Sequence, residues 1–434
     1  MSLTFPAFFT AVMAVAGALS LSAARIQPLA QEYVVLGESP DPQRVPLYNP
    51  SLIRLDSGRL VAAYMESGKH TKKQSWSYLF TSDDGGRTWQ KRATVSIGQA
   101  RLFPAGKSIY FIGSAGLRIV KSDDAGVTWS EPSTLAKGAW HQTASNYWIA
   151  NGCVYVALEK RVTDEIKAWP VGELAPVLMR GRLDADLTKA ENWTFASELT
   201  FRDALPGQKE NYPNLRHFGV PFFPQDYPGR YDTAPKRGMA PMGWLETNVV
   251  QVMDPKHYWY DGSGHTFYLL MRAHTGGTGY AALAKVVEYP DGTMHTSLVQ
   301  APSGKNMLFL PLPGGQMRFH VLYDEATKLY WLLSSQATDS MTRPELLPAD
   351  RYNLPNNERH RMVLHFSKNL VDWCFAGLVA TGDTPGQARH YAAMAIDGDD
   401  LVILSRSGDA RAKNAHDGNL ITFHRVPQFR SLVY

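Results

Sequence analysis

Two copies of one eight-residue phrase, about forty residues apart, constrain this chain more than any other feature. Ser82-Asp83-Asp84-Gly85-Gly86-Arg87-Thr88-Trp89 and Ser122-Asp123-Asp124-Ala125-Gly126-Val127-Thr128-Trp129 both read S-x-D-x-G-x-T-W. Such a phrase closes a hairpin by itself. The Asp carboxylate and Ser hydroxyl bond backbone N–H groups of the loop, the Gly takes a left-handed conformation, and the Trp packs beneath. That work is structural, so the phrase speaks to fold and leaves any reaction open.

With these turns as guides, an internal repeat emerges. Extended segments starting at Ser51, Ala100, His141, Glu246, Met317 and Arg389 each alternate apolar and polar residues, turn, and return as a second hydrophobic strand. Worn copies of the phrase follow at Asp184 to Trp193 and Ser367 to Trp373. With 35 Gly, 27 Pro, 11% aromatic and only 19% charged residues, the composition suits many short strands and turns and argues against coiled coil or disorder.

The phrase resembles the Asp-box of the sialidase-type β-propellers, and the likeness runs over about residues 45 to 425. It implies an all-β fold, a β-propeller of four-stranded blades around a channel. The hairpin count gives six blades, with five or seven as the alternatives. In that family the chemistry lies at the channel mouth: an early Arg-Ile-Pro, an acidic proton donor, a Glu paired with a nucleophilic Tyr, and three arginines that grip a carboxylate. A neutral tyrosine approaches an anionic sugar more easily than a carboxylate does.

Carried over position by position, the resemblance makes Glu246, in Gly243-Trp244-Leu245-Glu246-Thr247, the partner of the nucleophile, and Tyr391, in Arg389-His390-Tyr391, the nucleophile. Arg272 matches the second arginine and Arg318 the third, both as substrate contacts. His274 and His390 stand beside these residues and are assigned to substrate binding with them. Two positions depart from the pattern. Tyr48 stands where the first arginine is expected, and residues 66–80 contain no Asp, offering Glu66 and His70 in place of the usual acid.

Histidines also sit at strand starts or in loops: His70, His141, His217, His274, His390 and His416. A neutral imidazole moves protons near pH 7. Three functions follow. The first is an exo-acting glycoside hydrolase on an acidic sugar, with Tyr391, Glu246 and His70 or Glu66. The second is a polysaccharide lyase that cleaves uronates by β-elimination, with His141 and Tyr391 moving protons. The third is a glycan-binding propeller without catalysis. The expected partner in each is a glycan, anionic by the arginines. No motif calls for a cofactor or a metal.

Residues 1–24, apolar from Phe5 and without charge, read as a signal peptide, which implies a secreted or periplasmic protein; a membrane anchor is the alternative. Residues 25–434 then form a single propeller domain. Two long stretches exceed a minimal blade, 202–243 and 336–361, and are expected to wall one mouth of the channel. Cys153 and Cys374 are too few for a disulfide framework and read as buried free thiols, with one long-range disulfide as the alternative. The formal charge of +4, scattered along the chain, offers no nucleic-acid stripe.

Overall fold

The computed structural model describes residues 26–69, 73–114, 116–141, 144–166, 169–204, 243–274, 279–304, 306–339 and 358–434, with residues 342 and 346 and the backbone of 231–234 and 237–239. The leader, His70 and His217 lie outside the described residues. So does most of 202–243 and of the central part of 336–361.

Six antiparallel sheets follow one another along the chain. Blade 1 is Leu47–Arg54, Leu60–Glu66, Trp76–Ser82 and Gln90–Val95; blade 2 is Gly98–Ala105, Ser108–Ser114, Arg118–Ser122 and Ser133–Thr134. In blade 3 the inner edge is split into Ala139–Trp140 and Trp148–Ala150, both paired with Cys153–Arg161, and Leu174–Arg182 and Trp193–Phe195 complete it. Blade 4 runs Gly243–Val250, Thr266–His274, Tyr280–Glu288, Met294–Ser297, and blade 5 His320–Asp324, Leu329–Ser335, Arg361–Ser367, Cys374–Thr381. Blade 6 takes Arg389–Asp397, Asp400–Ser407 and Leu420–Val426 from the end of the chain, and its fourth strand, Val34–Glu38, from the beginning. The fold is therefore an all-β, six-bladed propeller, and the six hairpins read in the sequence are the inner strand pairs of its blades. The start of the chain closes the ring twice over. Just before that strand, Leu29 and Ala30 donate to the carbonyls of Leu378 and Val379 on the rim of blade 5.

The core lies between the blades. Six hydrophobic clusters each join one pair of neighbours, for example Ile53, Val61 and Leu79 of blade 1 against Leu102, Phe111 and Val120 of blade 2, and Leu60 and Ala62 of blade 1 against Val402, Ile421 and Phe423 of blade 6. A blade so covered has two apolar faces, which is why inner strands such as Leu60–Glu66 read as nearly continuous hydrophobic runs. No single blade can bury both faces alone.

The two phrases bridge the third and fourth strands of blades 1 and 2. In the first, Gly86 N–H donates to Ser82 Oγ at 2.9 Å and Thr88 N–H to Asp84 Oδ1 at 2.9 Å, while Trp89 Nε1 donates to the Gly86 carbonyl at 3.0 Å. The second repeats this with Gly126, Asp124 and Trp129. Gly86 and Gly126 sit at φ +90° and +86°, in the left-handed region. The worn copies keep the buttress: Trp193 Nε1 donates to the Leu187 carbonyl and Trp373 Nε1 to that of Leu370.

Both cysteines are free thiols, which removes the disulfide alternative; Cys153 is buried, whereas Cys374 starts an outer strand and is only half-buried. No helix among the described residues is long and apolar enough to cross a membrane.

Candidate active site

One end of the channel is where each blade's first strand begins and its second strand ends. Stretches 202–243 and 336–361 leave and rejoin the sheets at that end. Four first strands carry a β-bulge there, between Tyr48 and Ser51, Gly98 and Arg101, Leu245 and Asn248, and His390 and Ala393. Each bulge contains a non-glycine residue at positive φ: Asn49 at 51°, Gln99 at 50°, Glu246 at 61° and Tyr391 at 50°. Bulges re-aim side chains, and left-handed backbone in bulky residues persists only where surrounding structure enforces it. The repeat thus presents one re-aimed polar side chain per blade, and two of the four are Glu246 and Tyr391.

Arg272, at the end of the return strand of blade 4, links those two. Its Nη1 lies 3.3 Å from Glu246 Oε2 and 2.5 Å from Tyr391 Oη, and its Nε donates to the Gln316 carbonyl at 2.9 Å. All three side chains are buried. Around the Tyr391 ring stand two further guanidinium groups, Arg406 at 4.1 Å and Arg359 at 5.3 Å from its centre. Burial pushes the Tyr391 phenol up, and Glu246 adds to that. Arg272, Arg359 and Arg406 outweigh both and leave it below its ordinary range.

Tyr48, at the position where an arginine was expected, is buried and donates its hydroxyl to Asp417, which also contacts His416 Nδ1 at 2.6 Å. Arg406 lies 4.5 Å from the Tyr48 ring centre, so its guanidinium stands between Tyr48 and Tyr391. A cation from blade 6 thereby occupies the neighbourhood of the missing arginine of blade 1. Burial opposes the charge of Asp417, but hydrogen bonds from His416 and Tyr48 prevail and hold its carboxyl well below the usual range.

His390 is wedged between two of these arginines, with Arg359 Nη1 3.1 Å from its Nδ1 and Arg406 Nε 3.2 Å from its Nε2. Burial, then Arg406 and Arg359, holds its imidazole well below 6.5, so it is neutral at pH 7. Its partners are the arginines. Arg318 reaches Asn49 Oδ1 at 3.5 Å and the Ala144 carbonyl at 3.3 Å. It contributes field at Glu246 and Tyr391 rather than a contact with either.

His141 stands edge-on to Trp169 at 5.0 Å, and burial lowers its imidazole to about 4, with Glu246 as its nearest opposing charge. Among the described residues no contact joins it to Tyr391. His274 is buried at the end of the Arg272 strand, opposite Gly243. Glu66, the described half of the expected acid pair, accepts from Tyr78 Oη at 3.0 Å and lies opposite Leu47 in the sheet, at the mouth end. A residue outside the resemblance completes the set. Glu159 is fully buried on blade 3 and accepts from Thr247 N–H at 3.0 Å and Thr247 Oγ1 at 2.5 Å, which pins the residue after Glu246.

Neither a protein-family model nor a curated protein matches this sequence. Solved structures do match in fold. A Hadza microbial sialidase shares it at TM-score 0.52 and 13% identity, over 92% of this chain and 69% of that one. Trypanosoma rangeli sialidase in complex with an inhibitor matches at 0.51 and 12%, over 92% and 60%. The Fusarium graminearum α-L-arabinofuranosidase with an iminosugar inhibitor matches at 0.50 and 10%, over 92% and 98%. What they share with this chain is the propeller fold. At such identities the likeness concerns the backbone, and the chemistry of this propeller has to be argued from its own side chains.

Sequence reasoning missed Arg359 and Arg406. Arg359 lies at the end of a polar stretch read only as a loop. Arg406 sits in Leu401-Val402-Ile403-Leu404-Ser405-Arg406, where a long charged residue closing an apolar inner strand was the available signal.

Proposed function

We propose that this protein is an exo-acting glycoside hydrolase for an acidic sugar, with Tyr391 as nucleophile and Glu246 as the group that takes its proton. One observation carries the reading: Tyr391 and Glu246 meet the same nitrogen of Arg272, while Arg359 and Arg406 flank the phenol. Cations outnumber carboxylates here, since among the described residues Arg272, Arg318, Arg359 and Arg406 face Glu246, Asp417 and Glu159. An unbalanced buried positive cluster favours an anionic ligand.

A sugar carboxylate entering the mouth competes with Glu246 and Tyr391 for Arg272. As it takes that guanidinium, Glu246 is released to accept the phenolic proton. The Tyr391 oxygen then forms a bond to the anomeric carbon while the glycosidic oxygen leaves, protonated by Glu66 or His70. Water in turn replaces the phenol, giving its proton to the deprotonated Glu66 or His70, while Glu246 returns the first proton to Tyr391 as the covalent bond breaks. The apolar run over residues 5–24 supports export as part of the same reading.

The test is a panel of sialosides, glucuronides and uronate polysaccharides, with released sugar and ultraviolet absorbance read in parallel. Free sugar without absorbance, lost in Tyr391→Phe, is the expected result. An unsaturated, absorbing product would mean elimination, and binding without turnover would mean a lectin; either overturns the hydrolase.

A further inference from the structure

The other end of the channel holds a buried cation that the proposed reaction does not use. Arg101, two residues beyond the bulge residue Gln99, is 1% exposed. Among the described residues its Nε and Nη1 have no hydrogen-bond partner. Its Nη2 has only the Nε2 of His320, 3.5 Å away. That contact is not a hydrogen bond of the ordinary kind. His320 Nδ1 accepts from the Met394 N–H at 2.8 Å, so the proton of a neutral ring sits on Nε2 and points to the guanidinium. Two donors face each other with no acceptor between them.

Charge repeats the imbalance. Burial and the arginines Arg101 and Arg318 hold His320 neutral, and burial with Arg318 lowers Arg101 only to about 9, so it stays cationic at pH 7. No carboxylate is among the groups acting on Arg101. The nearby charges are spoken for: Arg54 pairs with Asp397 at 3.2 Å and Glu325 with Lys328 at 2.7 Å. A cavity of about 300 Å³ opens here, lined by Arg101 and His320 with Asn146, Trp148 and Tyr323 among its walls. Asn146 is held by backbone at both ends of its amide: its Nδ2 donates to the carbonyls of Val249 and Val321, and its Oδ1 accepts from the Val249 N–H at 2.7 Å rather than from the guanidinium.

We propose that this cavity binds a small monoanion, a halide or a short carboxylate, that accepts hydrogen bonds from Arg101 and His320. An unpaired buried cation is strongly unfavourable, and an acceptor between two converging donors removes both defects at once. The aromatic walls leave room for the apolar end of a carboxylate. The two donors come from the first strands of blades 2 and 5, with Leu52 and Met394 from the first strands of blades 1 and 6 on the cavity wall, and the site stands whether or not the hydrolase reading does.

The experiment uses the full chain, freed of halide by dialysis into a zwitterionic buffer. Crystals soaked in sodium bromide are expected to show an anomalous peak within hydrogen-bond distance of Arg101 and His320 Nε2. In solution, raising bromide from well below to well above its Kd is expected to lift Tm by about 2–4 °C, since binding to the folded state alone stabilises it. Arg101→Met abolishes that rise; if this variant does not fold, His320→Leu serves, with a weakened rise. Acetate that displaces bromide at lower concentration identifies a carboxylate site, and bromide that persists identifies a halide site. Water alone between the two side chains in both soaks, or an equal Tm response in wild type and variant, overturns the proposal.

Discussion

Arg406 stands with its guanidinium carbon 4.1 Å from the centre of the Tyr391 ring and belongs to the neighbouring strand of the same blade. It is one of three cations that depress the phenol, together with Arg272 and Arg359. Replacing it by methionine keeps much of the packing and removes the charge. At an effective dielectric of about 20, a unit charge near 4 Å is worth up to about 4 kcal/mol, so Arg406→Met raises the phenol by about one to three pKa units. Tyrosinate absorbance during alkaline titration, compared with Tyr391→Phe, reads the shift. An unchanged titration curve would remove Arg406 from the activation of Tyr391.

Tyr391→Phe deletes one oxygen and leaves Arg272 paired with Glu246. Activity on the acidic glycoside identified by the panel falls on the order of 10³-fold in kcat, whereas KM changes little, because the arginines that bind the carboxylate remain. A variant that retains a tenth of the wild-type kcat would assign nucleophilic attack to another group.

Gly86 and Gly152 both lie at positive φ, 90° and 67°, yet they predict different costs. A Cβ on Gly86 would come within 2.3 Å of the Phe423 ring, at the junction of blades 1 and 6; one on Gly152 meets nothing within 4 Å. Gly152→Ala therefore costs about 1–2 kcal/mol from backbone strain alone, and Gly86→Ala about 3 kcal/mol or more. Urea unfolding of the two variants distinguishes them, and equal midpoints would contradict the packing at that junction.

Six imidazoles lowered by burial set the acid side of the stability profile. Burial lowers His141, His365 and His424 to about 4 and His416 to about 3, and holds His320 and His390 well below 6.5. Each is neutral when folded and protonated when unfolded below about 6.5. Their contribution is thus fully present above that pH and lost as pH falls toward 4, by about 1.4 kcal/mol per pH unit for each proton taken up on unfolding. Glu159 acts in the opposite sense. Burial raises its carboxyl to about 7, so its contribution is complete below about 4.5 and fades as pH rises through 7. Six groups against one make Tm higher at pH 7 than at pH 5. Calorimetry at the two pH values checks this, and a Tm that is equal or higher at pH 5 would refute the sign.

Much of this was legible in the chain. The two S-x-D-x-G-x-T-W phrases and the worn copies at Trp193 and Trp373 are local: the bonds that close these turns lie within a few residues, so the sequence carries the instruction for the turn. Alternation and turn residues likewise marked the six inner hairpins. Glu246, Arg272 and Tyr391 were marked by their resemblance to the sialidase-type pattern at the ends of those hairpins, and the structure brings the three together.

What the chain does not show locally is which end residues share a space. Arg406 reaches Tyr391 from the paired strand of blade 6 and Arg359 from neighbouring blade 5, whereas Tyr48 of blade 1 meets Arg406 across the closure of the ring, where Val34–Glu38 pairs with Leu420–Val426 across nearly the whole sequence. The left-handed backbone at Asn49, Gln99, Glu246 and Tyr391 has no glycine to announce it. The facing donors of Arg101 and His320 come from blades 2 and 5, across the channel. Turns and strand pairs are fixed by short-range geometry and by the burial of two apolar faces, and the sequence determined those. The charge balance at each end of the channel is a sum over residues from all round the ring, and only the tertiary structure decides it.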